Sequence, residues 1–227
     1  MITACALIAA LNEEQHVAAV VRAAARYVAR VVVVDDGSSD ATAEQAGDAG
    51  AEVLRHPRTL GKGSALRTGL AHLLPQTDCS HVLFIDGDMQ HDPEEIPTLF
   101  TRAENGVGDF IIGEREFCRT TMPSARFYSN VIGSAIMSSL IGVRVHDSQS
   151  GFRLIRVEWL RAVRLTSRGY EIESEMLIKL ARAGAVIETV PVRRLTYADA
   201  RSKIRPFRDT FRTCMLSLKY RYLDGQP

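Results

Sequence analysis

Two acidic pairs stand where apolar runs stop. In "FIDGDMQHDP", Phe84–Pro93, the carboxylates of Asp86 and Asp88 flank a glycine, and Gln90 and Asp92 continue the polar alternation. In "VVVVDDGSSD", Asp35 and Asp36 end a run of four valines. Like charges this close repel unless something positive lies between them. A D-x-D group offers oxygen ligands to a hard divalent cation, Mg²⁺ or Mn²⁺, which keeps waters and takes phosphate oxygens as its other ligands. A turn or a helix cap explains either pair taken singly. Two pairs at neighbouring strand ends are harder to explain as punctuation, because ligands of open parallel α/β sheets bind beyond the carboxyl ends of the strands.

Rival chemistries fail on spacing. Asp86, Asp88 and Gln90 imitate the start of an EF-hand loop, but His91 holds the required glycine position and Pro97 the closing glutamate position. "GKG" at Gly61–Gly63 lacks the upstream glycine and the Ser/Thr of a P-loop, and Leu66 stands where a dinucleotide fingerprint needs its third glycine. The six histidines form no HExxH. A receiver-like signalling module shares the acidic pair and the "FIDGDM" strand. It also needs a Lys-Pro at a later strand end, and no lysine here precedes proline.

The elements that must position these residues are legible from periodicity. β-branched runs alternate with amphipathic segments, the pattern of a buried parallel sheet covered by helices. Strands are expected at Ile2–Ala9, "RVVVVDD", "AEVLRH", "HVLFID", "DFIIGER" and "AVIETVPV". Helices are expected from Glu13 to about Ala29, capped by Asn12, and after a cap at Ser39 or Asp40. Others follow "GKG", begin at Pro93, run Ser124–Ile141, and pass through "EIESEMLIKLARAG". A last amphipathic helix carries Phe207, Phe211, Met215, Leu218 and Tyr222. It would either pack on the domain's own core or lie in a membrane interface.

A chain of 227 residues with a net charge of +1 suits one substantial domain and argues against general nucleic-acid affinity. Cys5, Cys79, Cys118 and Cys214 lie far apart, which reads as reduced thiols in a cytosolic protein. The N-terminus has no basic n-region, so no signal peptide is expected. "VIGSAIMSSLIGV" is too short and serine-rich to span a bilayer.

In order and at these spacings, "IAALNEEQHV", "VVVVDDGSSDAT", "GKGSALRTGL", "FIDGDMQHDPEEIP", "SARFYSNVIG", "DSQSGFRL", "GYEIESEM" and "VPVRRLTYADARSKI" resemble a family 2 glycosyltransferase of the GT-A fold. The nearest subgroup is the dolichol- and polyprenyl-phosphate sugar synthases. The resemblance implies an α/β fold with a mostly parallel sheet flanked by helices, one Rossmann-like domain over 1–227. Residues 1–116 would bind the donor and 117–227 the acceptor. It implies inverting, metal-dependent transfer of a hexose from a nucleoside-diphosphate sugar to a polyprenyl phosphate, at the cytosolic face of a membrane. Transfer to a saccharide or small-molecule hydroxyl, and a non-catalytic nucleotide-binding module, are the alternatives.

Residue by residue, the resemblance implies that Ala9, Leu11 and Glu13, with Asp35 and Asp36 beside it, hold the nucleotide base. Gly61, Lys62 and Gly63 would bring backbone close to the nucleotide. Asp86 would lie against ribose and metal, Asp88 would ligate the metal and Gln90 complete its shell. Arg115 and Arg126 match phosphate-binding arginines. Arg201 and Lys203 match a segment that closes over the diphosphate. Asp147 falls where a base or an acceptor-orienting carboxylate stands. Glu173 and Glu175 would face the sugar or solvate a helix. Ala9 and Leu11 replace the family's usual proline and aromatic, and "AR" replaces the glycine before "SK".

Overall fold

The computed structural model describes residues 2–106, 108–115, 124–193 and 195. Seven strands form one sheet: β1 (Ala4–Ala10), β2 (Arg30–Asp35), β3 (Glu52–Arg55), β4 (His81–Phe84), β5 (Phe110–Arg115), β6 (Arg153–Arg156) and β7 (Ile187–Val192). Their order is β3-β2-β1-β4-β6-β5-β7. The strands β1 to β4 pair in parallel, as do β5 and β7, while β6 runs antiparallel between β4 and β5.

Both faces of this sheet are buried, so its strands read as unbroken apolar runs in the sequence. Alternate side chains serve opposite faces. Cys5, Leu7, Val32, Val34 and Phe84 meet α3 (Lys62–Leu73), α6 (Val157–Ala162) and α7 (Ile172–Ala183). Ala6, Ile8, Val31, Val33 and Leu83 meet α1 (Val17–Ala24), α2 (Thr42–Asp48) and α4 (Ile96–Glu104). Helix α5 (Ser124–Ile141) has the bounds the sequence suggests. It packs on α7, buries Met137 and Ser134, and leaves Tyr128, Val131, Ile132 and Ile136 exposed. Among the described residues no helix is long and apolar enough to cross a membrane.

Three expectations need correcting. The helix after Asn12 begins only at Val17, because Asn12 adopts a left-handed backbone (φ 51°) and turns its side chain to the Ser39 N–H at 2.9 Å. Strand β6 and helix α6 were not anticipated: "RLIRVEWLRA" is too short and too charged to carry a clear period. The turn opened by Pro93 is capped by Asp92, as the placement of that proline implies, with Asp92 accepting from Glu94 N–H at 3.0 Å. Finally, Cys5 and Cys79 form a disulfide, with Cα atoms 6.1 Å apart. The parallel register sets Cys5 opposite Val82, so strand pairing brings together two cysteines 74 residues apart in sequence. Cys118, Cys214 and the expected terminal helix lie outside the described residues.

Candidate active site

The carboxyl ends of β1, β2, β4 and β5 converge on a cavity of about 500 Å³. Ala9 to Glu13 form one wall. Asp36, Thr59, Gly61 and Lys62 form the next, Asp86 to Asp88 with Gln90 the floor, and Arg115, Gln149, Tyr170 and Glu173 the far side. Met89 takes a left-handed backbone (φ 58°), the bend that lets Asp88 and Gln90 share one side of the loop.

Lys62 is a positive group beside Asp86, joining it to Glu173 rather than to Asp88. Its ammonium donates to Asp86 at 2.6 Å and to Glu173 at 2.5 Å, with the Tyr170 ring centroid 5.7 Å away. Burial opposes ionisation of Asp86, yet Lys62, with His91 and Arg115 behind it, holds this carboxyl below the usual range. Glu173 is moved upward by its burial, against the pull of Lys62. Asp88 differs: burial first, then the Asp86 charge, push it up to about 6. Gly151 makes room for the arrangement, since a Cβ there would stand 2.2 Å from Asp86 Oδ2.

An acidic pair in which one member's pKa is raised by burial and by its neighbour's charge is a site short of positive charge, and the donor set is two carboxylates facing a cavity. That chemistry fits a divalent ion held by Asp86 and Asp88. Among the described residues no third His, Cys, Asp or Glu joins them in a metal-binding group, which leaves most coordination positions for phosphate oxygens and water. Gln90 lines the same cavity and is already engaged with Asp88. Its backbone N–H and side-chain Nε2 donate to Asp88 at 3.1 and 2.8 Å, so it steadies the carboxylate.

Other expected site residues are placed differently from the sequence reading. Asp35 is fully buried and outside the cavity lining, accepting from Ser38 N–H at 3.0 Å and paired with Arg55 at 3.0 Å. Asp36 reaches the wall, but its oxygens take the Leu60 and Gly61 N–H groups at 2.9 and 2.8 Å and His56 Nδ1 at 2.7 Å. Its visible task is to shape the turn before Lys62. Gly61 (φ 103°) and Gly63 are glycines because the 167–169 backbone occupies the space of their side chains: a Cβ would lie 2.4 Å from the Arg168 carbonyl and 2.6 Å from that of Ser167. Only Gly61 and Lys62 of this triplet line the cavity.

Asp147 is buried and gives both oxygens to the Arg115 guanidinium, at 2.7 and 3.1 Å. Burial works against the charge on Arg115, but Asp147 raises its pKa further and locks its fork at the cavity edge. Asp147 is therefore the residue that holds Arg115. Glu173 belongs to the cavity, whereas Glu175, also on α7, is buried against the 166–167 segment, bonded to Thr166, Ser167 and Lys179. The backbone of Arg126 lies in α5, and its side chain, like Arg201 and Lys203, lies outside the described residues. Sequence reasoning missed Asn12, Thr59, Gln149 and Tyr170. Of these only Tyr170, an aromatic just ahead of the acidic "EIESE", carried a usable signal.

Comparison with known proteins agrees with this fold. The model of "Glycosyl transferase family 2" matches residues 5–164. The undecaprenyl-phosphate mannosyltransferase of Micrococcus luteus is 31% identical over 71% of this chain and 70% of its own. The dolichol-phosphate mannosyltransferase of Pyrococcus furiosus is 34% identical over 66% of this chain but only 44% of its own. Among solved structures, glucosyl-3-phosphoglycerate synthase of Mycobacterium tuberculosis superposes with a TM-score of 0.74 at 25% identity, covering 97% of this chain and 80% of that one. The same synthase, in complex with Mn²⁺ and uridine-diphosphate-glucose, gives a TM-score of 0.74 at 23% identity over 97% of this chain and 79% of that one. The sheet is that of the GT-A fold, and the chain belongs to glycosyl transferase family 2, a family of glycosyltransferases.

Proposed function

We propose that this glycosyltransferase moves a hexose from a nucleoside-diphosphate sugar to a polyprenyl phosphate, with inversion, at the cytosolic face of a membrane. The observation that carries the acceptor assignment is the pairing of Asp147 with Arg115. A hydroxyl acceptor needs a base, and the carboxylate expected in that role has both oxygens on a guanidinium. A lipid phosphate arrives already ionised, so its oxygen attacks the anomeric carbon without a strong base. The new bond forms as the bond from that carbon to the β-phosphate oxygen breaks, and the nucleoside diphosphate leaves with the electron pair.

The chain's own residues have distinct parts in this reading. The 9–13 segment and the turn shaped by Asp36 cradle the nucleoside. Asp86 and Asp88 would hold a divalent ion, Mg²⁺ or Mn²⁺, which supplies Lewis-acid stabilisation of charge on the departing diphosphate. Lys62 keeps Asp86 and Glu173 in place, and Arg115 presents N–H groups to phosphoryl oxygens at the cavity edge. Residues 1–116 would thus serve the donor and 117–227 the acceptor, with Arg126, Arg201 and Lys203 as further phosphate contacts. The apolar stripe of α5 suits an isoprenoid tail: its buried face is bonded to the 145–148 segment beside Gln149 of the cavity.

The test is incubation with GDP- and UDP-hexoses, Mn²⁺ and a short polyprenyl phosphate, reading lipid-linked sugar. Product that needs both metal and lipid phosphate is expected. Transfer only to a saccharide or to a hydroxyl such as that of phosphoglycerate overturns the acceptor, and no turnover of any sugar nucleotide overturns the donor assignment.

A further inference from the structure

A second concavity, of about 680 Å³, lies behind the GKG turn and plays no part in the transfer chemistry described above. Its floor is apolar, built by Leu60, Leu70 and Leu74 on the α3 side and by Leu160, Val163 and Leu165 on the α6 side. Its rim carries Arg67, Arg164 and Arg168, and among the described residues no acidic one lines it. All three arginines are exposed, and among the described residues none is paired with a carboxylate. Arg67 donates to the Thr166 carbonyl at 3.2 Å, which ties the rim together but neutralises nothing.

Surface arginines ordinarily find acids nearby; three without them over a trough of leucines complement an anionic amphiphile. A soluble polyanion has no use for the leucines, and an apolar peptide has none for the guanidiniums. We propose that this groove docks an anionic phospholipid, its phosphodiester on the arginine forks and its upper acyl segment on the leucine floor. The α3–α6 face would then rest on a negatively charged bilayer. The groove shares a wall with the donor cavity. The Arg168 and Ser167 carbonyls press on Gly61 and Gly63, Ser64 N–H donates to the Arg168 carbonyl at 3.1 Å, and Lys62 stands on the far side. Docking here therefore sets the cavity beside the lipid surface.

Sedimentation with vesicles of phosphatidylcholine, with and without phosphatidylglycerol, tests this. The protein is expected to bind only the anionic vesicles and to come off as salt rises. At roughly fivefold in affinity per basic residue near the surface, Arg67→Gln with Arg164→Gln should lose about 25-fold. The matching pair of Lys substitutions should keep most of the binding, and Val163→Ser should weaken it severalfold with every charge intact. Arg164→Gln alone repeats the charge test at a guanidinium that makes no hydrogen bond among the described residues, should the double variant fold poorly. Undiminished binding by both Gln variants, equal binding to neutral vesicles, or full release by inorganic phosphate at constant ionic strength overturns the proposal. Turnover of a water-soluble short-chain polyprenyl phosphate should be unchanged in the Gln variants. Its failure in every protein, the parent included, would count against the acceptor assignment and leave the groove standing.

Discussion

Asp35–Asp36 and Asp86–Asp88 are alike as sequence signals and unlike as structures. Both end a buried strand at the same edge of the sheet. The first pair is consumed by the fold: backbone N–H groups of Ser38, Leu60 and Gly61, with Arg55 and His56, take its oxygens. The second pair meets one lysine, the backbone and side-chain N–H groups of one glutamine, and open cavity. What separates a structural carboxylate from a functional one here is the supply of local donors. A carboxylate ringed by N–H groups holds a loop, and one left short of positive charge is prepared to receive it from a ligand.

Substitutions can break this comparison. The largest effect is expected from Asp88→Asn, which should lower metal-dependent turnover by roughly a thousandfold, at the upper end for loss of one transition-state partner. The same variant in chelator should melt no lower than the parent. Turnover within tenfold of the parent would show that the second pair is not the functional one. Asp36→Asn should do the reverse, costing about 2 kcal/mol in a denaturant titration by stripping acceptors from buried N–H groups. A loss of activity at unchanged stability would move the first pair into the chemistry.

The pH dependence sharpens the contrast. Asp88 titrates at about 6 in the folded protein against an ordinary 3.8, so the folded state holds the extra proton between those values. Its ionised form therefore costs stability above about pH 6, and the cost fades as pH falls toward 3.8. In chelator, Asp88→Asn should exceed the parent by about 3 kcal/mol at pH 7, with most of the gap closed by pH 4. His81, drawn down to about 4 by burial and Arg156, loses stability in acid in both proteins and cancels. Gly151→Ala should cost at least tenfold in turnover by displacing Asp86, read as a fall in kcat at a given Mn²⁺ concentration. The smallest effect belongs to Asp147→Asn: less than tenfold, with the shape of the pH–rate profile kept. Loss of the acid limb would make Asp147 a base rather than the holder of Arg115.

Much of the fold was legible because a sheet buried on both faces writes its strands as valine and isoleucine runs. The bounds of α5 and the helical turn opened by Pro93 just ahead of α4 followed from local rules. Strand β6 did not, since its pairing with β4 and β5 is decided across the sheet and only four residues carry it. The donor cavity was legible in its carboxylates and in Lys62, whose types announce chemistry. The tasks of Asp147, Gly63 and Gln90 were hidden, because each is set by a partner that only the folded chain brings near: Arg115, the Ser167 carbonyl and the rotamer of Asp88. The Cys5–Cys79 bond was hidden for the same reason.

The contact between Gly151 and Asp86 also bears on how such a chain can change over generations. Any side chain at 151 competes for the volume of the carboxylate, so the two positions cannot drift independently. A lineage that keeps the aspartate is confined to glycine 65 residues further on. One that loses the glycine has first to give up or relocate the acid. Among descendants of this sequence, the residue at 151 would therefore report whether the acidic loop is still under selection, even where both aspartates survive.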